Sequence, residues 1–146
     1  MILYHFNLGY PFLDESMELS IPTHHAEARD EHSNSAIADR LTISKPIPGF
    51  REMCYFYEID ADREGIGRVS AFNHNRNIGL SISFDAALLD HFTQWKMMGA
   101  GEYALGLEPG NATPLGVAAE EQLGHVKYLE PGESVTYDFR IEVDER

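Results

Sequence analysis

Residues 88–111 read LLDHFTQWKMMGAGEYALGLEPGN, and the second half of this stretch predicts a β-strand that ends in a carboxylate. In residues 103–108 the two-residue period of a strand places Glu108 on the same face as Ala104 and Gly106. A Pro-Gly pair then ends the strand, since proline cannot donate to a sheet and glycine favours turns. An acid at a strand end with small neighbours is a candidate catalytic or binding group. A solvated surface glutamate is the alternative.

The same alternation recurs along the chain and predicts an all-β protein. Strands are expected at residues 1–8, 17–21, 52–59, 68–73, 78–84, 103–108 and 134–143, with turn-forming residues between them. Many short strands separated by turns are typical of an antiparallel β-sandwich or barrel. Helix is scarce: residues 116–124 (GVAAEEQLG) are the best candidate, and the polar residues 22–34 are expected to form a long surface loop.

The composition fits one domain with its own hydrophobic core. The chain has 146 residues, of which 43% are hydrophobic, and a formal net charge of -13. A charge of this sign and size would repel nucleic acid and anionic membrane surfaces, so neither is an expected partner. The first residues lack the pattern of a signal peptide, and the single cysteine, Cys54, cannot form an intrachain disulfide. A cytoplasmic protein is therefore expected.

A second titratable group lies near the amino terminus, where alternation in residues 3–9 puts His5 on the same face as Asn7. Histidine exchanges protons near neutral pH, and a carboxylate on the same sheet would complete an acid and base pair. His5 and Glu108 are therefore the candidate catalytic pair. The alternative for His5 is a half-exposed strand histidine without a chemical role.

Other candidate site residues have two interpretations each. His74 and Arg76 share the predicted turn NHNRN, where they could hydrogen-bond sugar hydroxyls or simply form a polar hairpin. Trp95 shares a face with Thr93 in residues 92–97, while Lys96 lies on the other face. The tryptophan could be a platform for a sugar ring or an anchor in the core.

The polar segment 22–34 contains titratable residues whose spacing does not favour a metal site. Adjacent histidines on an extended chain point to opposite faces, and no His-x-His pair is followed by a strand glutamate. The residues concerned are His24, His25, Glu27 and His32. The sequence also has no phosphate-binding loop, nucleophile elbow or Cys-x-x-Cys pair, so phosphoryl transfer, serine hydrolase and zinc-ribbon functions have no support.

Three stretches together resemble a known family: YHFNLGYPFLDE at residues 4–15, FTQWKMMGAGEYALGLEPGN at residues 92–111 and LEPGESVTYDFRIEV at residues 129–143. They resemble the carboxy-terminal half of bacterial proteins related to aldose 1-epimerase (galactose mutarotase-like), in particular the DUF4432 group. This resemblance implies an antiparallel β-sandwich of the galactose mutarotase-like supersandwich type, with a sugar bound in a cleft. It also implies a histidine acid and a glutamate base, which fall on His5 and Glu108.

The activity that the resemblance implies is that of an aldose 1-epimerase-like isomerase, which interconverts sugar anomers without a metal or an organic cofactor. The sugar contacts proposed on this basis are Asn7, His74, Arg76, Trp95 and Lys96. A non-catalytic sugar-binding or regulatory module of the same fold is the alternative function. A metal-dependent cupin isomerase is a third class.

Two departures from the family pattern accompany the resemblance. His5 directly precedes Phe6, whereas typical members have one more residue between the histidine and a Tyr-Phe-Asn-Leu stretch. Family members are also longer and begin with further strands that supply an arginine and a histidine to the sugar site. We therefore expect a single β-sandwich domain over residues 1–146 that corresponds to the second half of a longer domain, as a truncated form or as one half completed by another chain. Open sheet edges would favour homo-oligomers.

Overall fold

Two antiparallel sheets with little helix make up residues 1–145, the part of the chain that the structure, a computed structural model, describes. In chain order the elements are β1 (Phe6–Gly9), β2 (Met17–Ser20), β3 (Thr23–Ala28), α1 (Glu31–Asn34), β4 (Met53–Ile59), β5 (Ile66–Asn73), β6 (Ile78–Asp85), β7 (His91–Gly99), β8 (Glu102–Gly110), α2 (Val117–Leu123) and β9 (Phe139–Glu145). The five-stranded sheet has the order β1, β8, β7, β4, β3, and the four-stranded sheet has the order β2, β5, β6, β9. The predicted all-β sandwich is confirmed.

The two sheets bury one apolar core between their facing surfaces. Tyr55 and Phe92 from the five-stranded sheet, and Val69, Ile82 and Phe84 from the four-stranded sheet, are each at most 2% exposed. The Phe84 and Phe92 rings stack across the interface with their centroids 6.2 Å apart. Because one face of each sheet is committed to this core, the opposite face of the five-stranded sheet carries the side chains available for chemistry.

The prediction of a surface loop at residues 22–34 is wrong, because most of this segment forms the edge strand β3 and the short helix α1. Ala26 and Ala28 pack against the core, while Glu27 stands opposite Phe56 on the outer face. Alanine carries a weak hydrophobic signal, and polar residues are common on edge strands. The segment therefore has the composition of a loop although it extends the sheet.

Several predicted boundaries shift. Strand β1 covers Phe6–Gly9 rather than residues 1–8, and β9 covers Phe139–Glu145 rather than residues 134–143. Strand β7 covers His91–Gly99, whereas the alternation predicted there spans only residues 92–97. The predicted helix at residues 116–124 corresponds to α2, which ends at Leu123 and is capped by Gly124 with a left-handed φ of 76°. No helix within residues 1–145 is long and apolar enough to cross a membrane.

Coverage of the core weakens at the edge strand β9. Ile141 pairs directly with Ile82 of β6 and shares its inner face. Yet Ile141 is 50% exposed, whereas Ile82 is 1% exposed. The inner face of the four-stranded sheet is therefore only partly covered at this edge.

Ile82 and Ile141 form a matched pair for measuring how burial stabilises the sandwich. Replacing Ile82 by Ala removes a fully buried side chain, so we expect the free energy of unfolding to fall by about 2–5 kcal/mol. The Ile141→Ala substitution on the half-exposed neighbour is expected to cost less than about 1.5 kcal/mol. Urea denaturation of both variants measures these losses. Equal losses would contradict this packing.

Candidate active site

Pairing of β1 with β8 brings the two predicted catalytic residues together. The register pairs Phe6 with Leu107, so His5 lies directly opposite Glu108 where β1 begins. His5 Nε2 and Glu108 Oε1 are 2.8 Å apart. The imidazole therefore points to the same face as the carboxylate, even though His5 directly precedes Phe6.

Gly106 provides the space in which these two side chains meet. A Cβ atom at position 106 would collide with the Glu108 carboxylate, and it would stand 2.9 Å from His5 Cε1 and 3.2 Å from Trp95 Cβ. The bare backbone of Gly106 thus lets the Glu108 side chain fold back over its own strand. A side chain at this position would separate the pair.

Burial sets the proton affinities of the two groups. Glu108 is only 3% exposed, and the loss of solvent raises its pKa from 4.5 to about 7. The His5 side chain is 42% exposed, and its partial burial lowers its pKa below the ordinary value. Glu108 therefore titrates near neutral pH, the range in which a general acid or a general base works best, while burial favours the uncharged form of the His5 imidazole.

One oxygen of the carboxylate is poorly satisfied. Glu108 Oε1 is buried, and although His5 Nε2 is close to it, no hydrogen bond of acceptable geometry reaches this oxygen. A buried acceptor without a hydrogen bond carries an unrecovered desolvation cost. A hydrogen-bond donor that reached this oxygen would recover part of that cost.

Thr93 is a residue of this face that the sequence analysis did not single out. It pairs with Glu108 in the register of β7 and β8 and is 1% exposed, and its Oγ1 has no hydrogen-bond partner among the described residues. Two unsatisfied polar atoms thus belong to directly paired residues of one sheet face. The sequence holds the signal for it, because alternation places Thr93 on the same face as Trp95.

Trp95 lies on this face and is fixed at the edge of the site. Its ring centroid is 5.9 Å from that of His5, in an edge-to-face arrangement. The indole Nε1 donates to Glu52 Oε2 at 2.7 Å, and Arg29 Nη2 donates to Glu52 Oε1 at 3.0 Å. The indole donor, followed by the Arg29 donor, lowers the pKa of Glu52. Trp95 therefore forms a wall beside the pair rather than an anchor in the core. No motif identifies Glu52 or Arg29 from the sequence.

Asn7 is the other predicted contact that lies next to the pair. It stands opposite Gly106 in the register of β1 and β8, and its side chain is exposed. Asn7 and Trp95 are on the strands that flank β8 on either side. Groups able to contact a ligand thus lie on both sides of Glu108.

Three predicted sugar contacts lie elsewhere, and their placement is a correction. Lys96 is 6% exposed on the opposite face of β7, where its Nζ donates to the Asp39 carbonyl at 3.0 Å and burial lowers its pKa to about 8. His74 and Arg76 lie in the turn between β5 and β6 of the other sheet, and His74 Nε2 is 3.0 Å from Glu18 Oε2. Alternation assigns side chains to opposite faces of a strand, but it does not say which strands share a sheet.

The titratable residues of β3 do not assemble into a metal site. Within residues 1–145, no group of three or more His, Cys, Asp or Glu side chains is arranged to hold a metal ion. The His24 ring instead contacts Asp60 Oδ1 at 2.6 Å and Glu58 Oε2 at 3.0 Å on the exposed surface. Cys54 is buried, which raises its pKa to about 12 and keeps it a thiol.

The space above Gly106 can be tested with a matched pair of glycines. Gly106→Ala should displace the flexible ends of His5 and Glu108, so we expect the His5 pKa to rise toward its ordinary value of 6.5 as the ring becomes more exposed. Gly9→Ala on the neighbouring strand is the control, because a Cβ there meets nothing within 4 Å. Proton NMR titration of the imidazole reports both variants. An unchanged His5 pKa in Gly106→Ala would show that the glycine is not needed.

Comparison with known proteins agrees with this architecture. The fold is similar to that of a candidate aldose 1-epimerase from Klebsiella pneumoniae subsp. pneumoniae MGH 78578, with a TM-score of 0.92 and 28% sequence identity. The similarity covers 97% of this chain but only 37% of that protein. No curated protein matches the chain. The model of the DUF4432 family, a domain of unknown function, matches residues 1–143, and the chain therefore belongs to this family.

Proposed function

We propose that the chain binds a sugar and interconverts its anomers, as an aldose 1-epimerase-like isomerase. The observation that carries the proposal is the contact between His5 and Glu108 over Gly106, which sets an acid and a base 2.8 Å apart on the outer face of the five-stranded sheet, with the His5 side chain 42% exposed. The fold similarity to a candidate aldose 1-epimerase supports the same reaction class. The activity is a proposal for this chain, which spans 37% of that protein's length.

In the proposed reaction the two side chains act on different oxygens of one hemiacetal. Glu108 accepts the proton of the anomeric hydroxyl, whose oxygen then forms the C1 carbonyl as the bond between C1 and the ring oxygen breaks. His5 donates its proton to that ring oxygen. Rotation about the C1–C2 bond and reclosure with exchanged roles give the other anomer. Every proton moves between the sugar and these two side chains, so the step requires no cofactor.

The mechanism requires the pair to hold one proton in total. The raised pKa of Glu108 and the lowered pKa of His5 place the resting proton mainly on the carboxyl group. His5 Nε2 is 2.8 Å from Glu108 Oε1, so a small rotation of either side chain would align the two atoms for proton transfer to the imidazole. The active form is thus one of two arrangements of a singly protonated pair, and the observed titration belongs to the pair.

Asn7 and Trp95 are the proposed sugar contacts that flank this pair. The Trp95 ring offers a flat apolar surface for the C–H face of a sugar, and the Asn7 side chain offers a donor and an acceptor for hydroxyl groups. The net charge of -13 is consistent with a neutral ligand. A cytoplasmic location and homo-oligomers formed through open sheet edges stay predictions.

A non-catalytic sugar-binding module is the second candidate, and the protonation of Glu108 favours it. A carboxyl group with a pKa of about 7 is partly protonated at neutral pH, so it can donate a hydrogen bond to a sugar hydroxyl without acting as a base. Binding and catalysis would then involve the same residues, and only a rate measurement separates them.

Exchange NMR on glucose and galactose tests the proposed function. We expect Glu108→Gln to lower the catalysed rate of anomer exchange at least about 100-fold, because the amide cannot accept the proton. Glu102→Gln is the matched control: Glu102 is an exposed glutamate that begins the same strand, and its loss should leave the rate unchanged. The enzyme proposal fails if Glu108→Gln exchanges anomers as fast as the wild type. A sugar-dependent change in Trp95 fluorescence would then support the binding module.

A further inference from the structure

A cavity lies on the same outer face of the five-stranded sheet as His5 and Glu108. Its volume is about 260 Å³. Three strands, α2 and the segments on either side of α2 supply its walls. The lining residues used below are His25 of β3, Phe56 and Glu58 of β4, His91 of β7, Leu123 of α2 and His125.

The sheet register gives the distance between this cavity and the proposed catalytic pair. Thr93 pairs with Glu108 on one side and with Phe56 on the other, so Phe56 is two strands, or about 10 Å, from Glu108. His91 lies two residues along β7 from Thr93, a distance of about 7 Å. The unpartnered, buried Thr93 hydroxyl thus lies between the catalytic pair and the cavity.

The wall above the sheet is held by buried hydrogen bonds. Glu120 of α2 is fully buried and accepts from the Thr113 backbone N–H at 3.0 Å, from the Thr113 hydroxyl and from His125 Nδ1 at 3.0 Å. The His125 ring then stands 4.4 Å from the His91 ring, centroid to centroid. Because Nδ1 of His125 is engaged by the carboxylate, Nε2 is the ring nitrogen left for a ligand.

The lining has the chemistry of a carbohydrate site. Phe56, which is 6% exposed, contributes an apolar part of the lining, while the imidazoles of His25, His91 and His125 offer nitrogen donors and acceptors for hydroxyl groups. Glu58 adds negative charge, which disfavours phosphorylated or carboxylated ligands. A neutral polyhydroxylated ring fits this combination of groups.

We propose that this cavity is a second sugar subsite, which holds the non-reducing unit of a reducing disaccharide while the reducing ring lies at His5 and Glu108. The inference rests on the proposed function, because it assumes that the first ring binds at this pair. It identifies the substrate class as a neutral, reducing disaccharide or an aldose with an equivalent substituent. The free anomeric carbon of the reducing ring remains the reacting centre.

Calorimetric titration compares each disaccharide with its own reducing unit on the full chain. The probes are glucose against maltose and lactose, and galactose against 4-galactobiose. We expect at least one disaccharide to bind about tenfold more tightly than its reducing monosaccharide, because a second ring gains contact with Phe56 and the three imidazoles. Leu123→Arg, which places a long side chain in the cavity, should abolish this advantage without changing monosaccharide affinity.

Val117→Arg is the matched control for Leu123→Arg. Both residues lie on α2 and are more than half exposed, at 58% and 55%, but only Leu123 lines the cavity. The disaccharide advantage should therefore persist in Val117→Arg. The subsite inference would be overturned if every disaccharide bound only as tightly as its reducing monosaccharide, or if tighter disaccharide binding survived Leu123→Arg. The proposed function would still stand in either case if the protein catalysed anomer exchange of a monosaccharide. Absence of both sugar binding and anomer exchange would overturn the proposed function and the subsite with it.

Discussion

The close approach of His5 to Glu108 is the constraint on which the site depends. It requires β1 to pair with β8 in one register and a glycine beneath the two side chains. It also requires enough burial to raise the pKa of the Glu108 carboxyl group to about 7. A one-residue slip of β1 would turn His5 into the core and bring Phe6 to the outer face. The apolar residues of β1 therefore fix the chemistry as well as the packing, because they decide which face the histidine takes.

The sequence predicts the parts of this arrangement that depend on local alternation. Glu108 shares a face with Gly106, and His5 with Asn7, because the period of a strand is independent of its partners. The pairing of β1 with β8 is a long-range property that no local pattern contains. Lys96, His74 and Arg76 show the consequence, since their strands or turns are identifiable but the face or sheet to which they belong is not. Hydrophobic alternation does not identify strand β3, because the inward residues of this strand are alanines, which give little hydrophobic signal.

The residues proposed to act on the ligand lie on neighbouring strands of the five-stranded sheet. The proposed proton transfer is on the β1 and β8 side, Trp95 of β7 forms a wall, and the cavity lined by Phe56 and His25 lies over β4 and β3. The other face of the same strands packs in the core, which holds these groups at fixed spacing. The chain covers 37% of the candidate epimerase to which it is similar, yet it contains both members of the pair, with Glu108 in β8 and His5 immediately before β1.

Carbon-13 NMR titration of the Glu108 carboxyl group tests the central claim most directly. A buried carboxylate that shares one proton with His5 should titrate near pH 7, and its resonance should shift together with that of the imidazole. The Glu108 charge would then form only as the pH rises through that value. A carboxyl group that titrates near 4.5, independently of His5, would contradict the account, because Glu108 would then be an ordinary ionised glutamate at neutral pH.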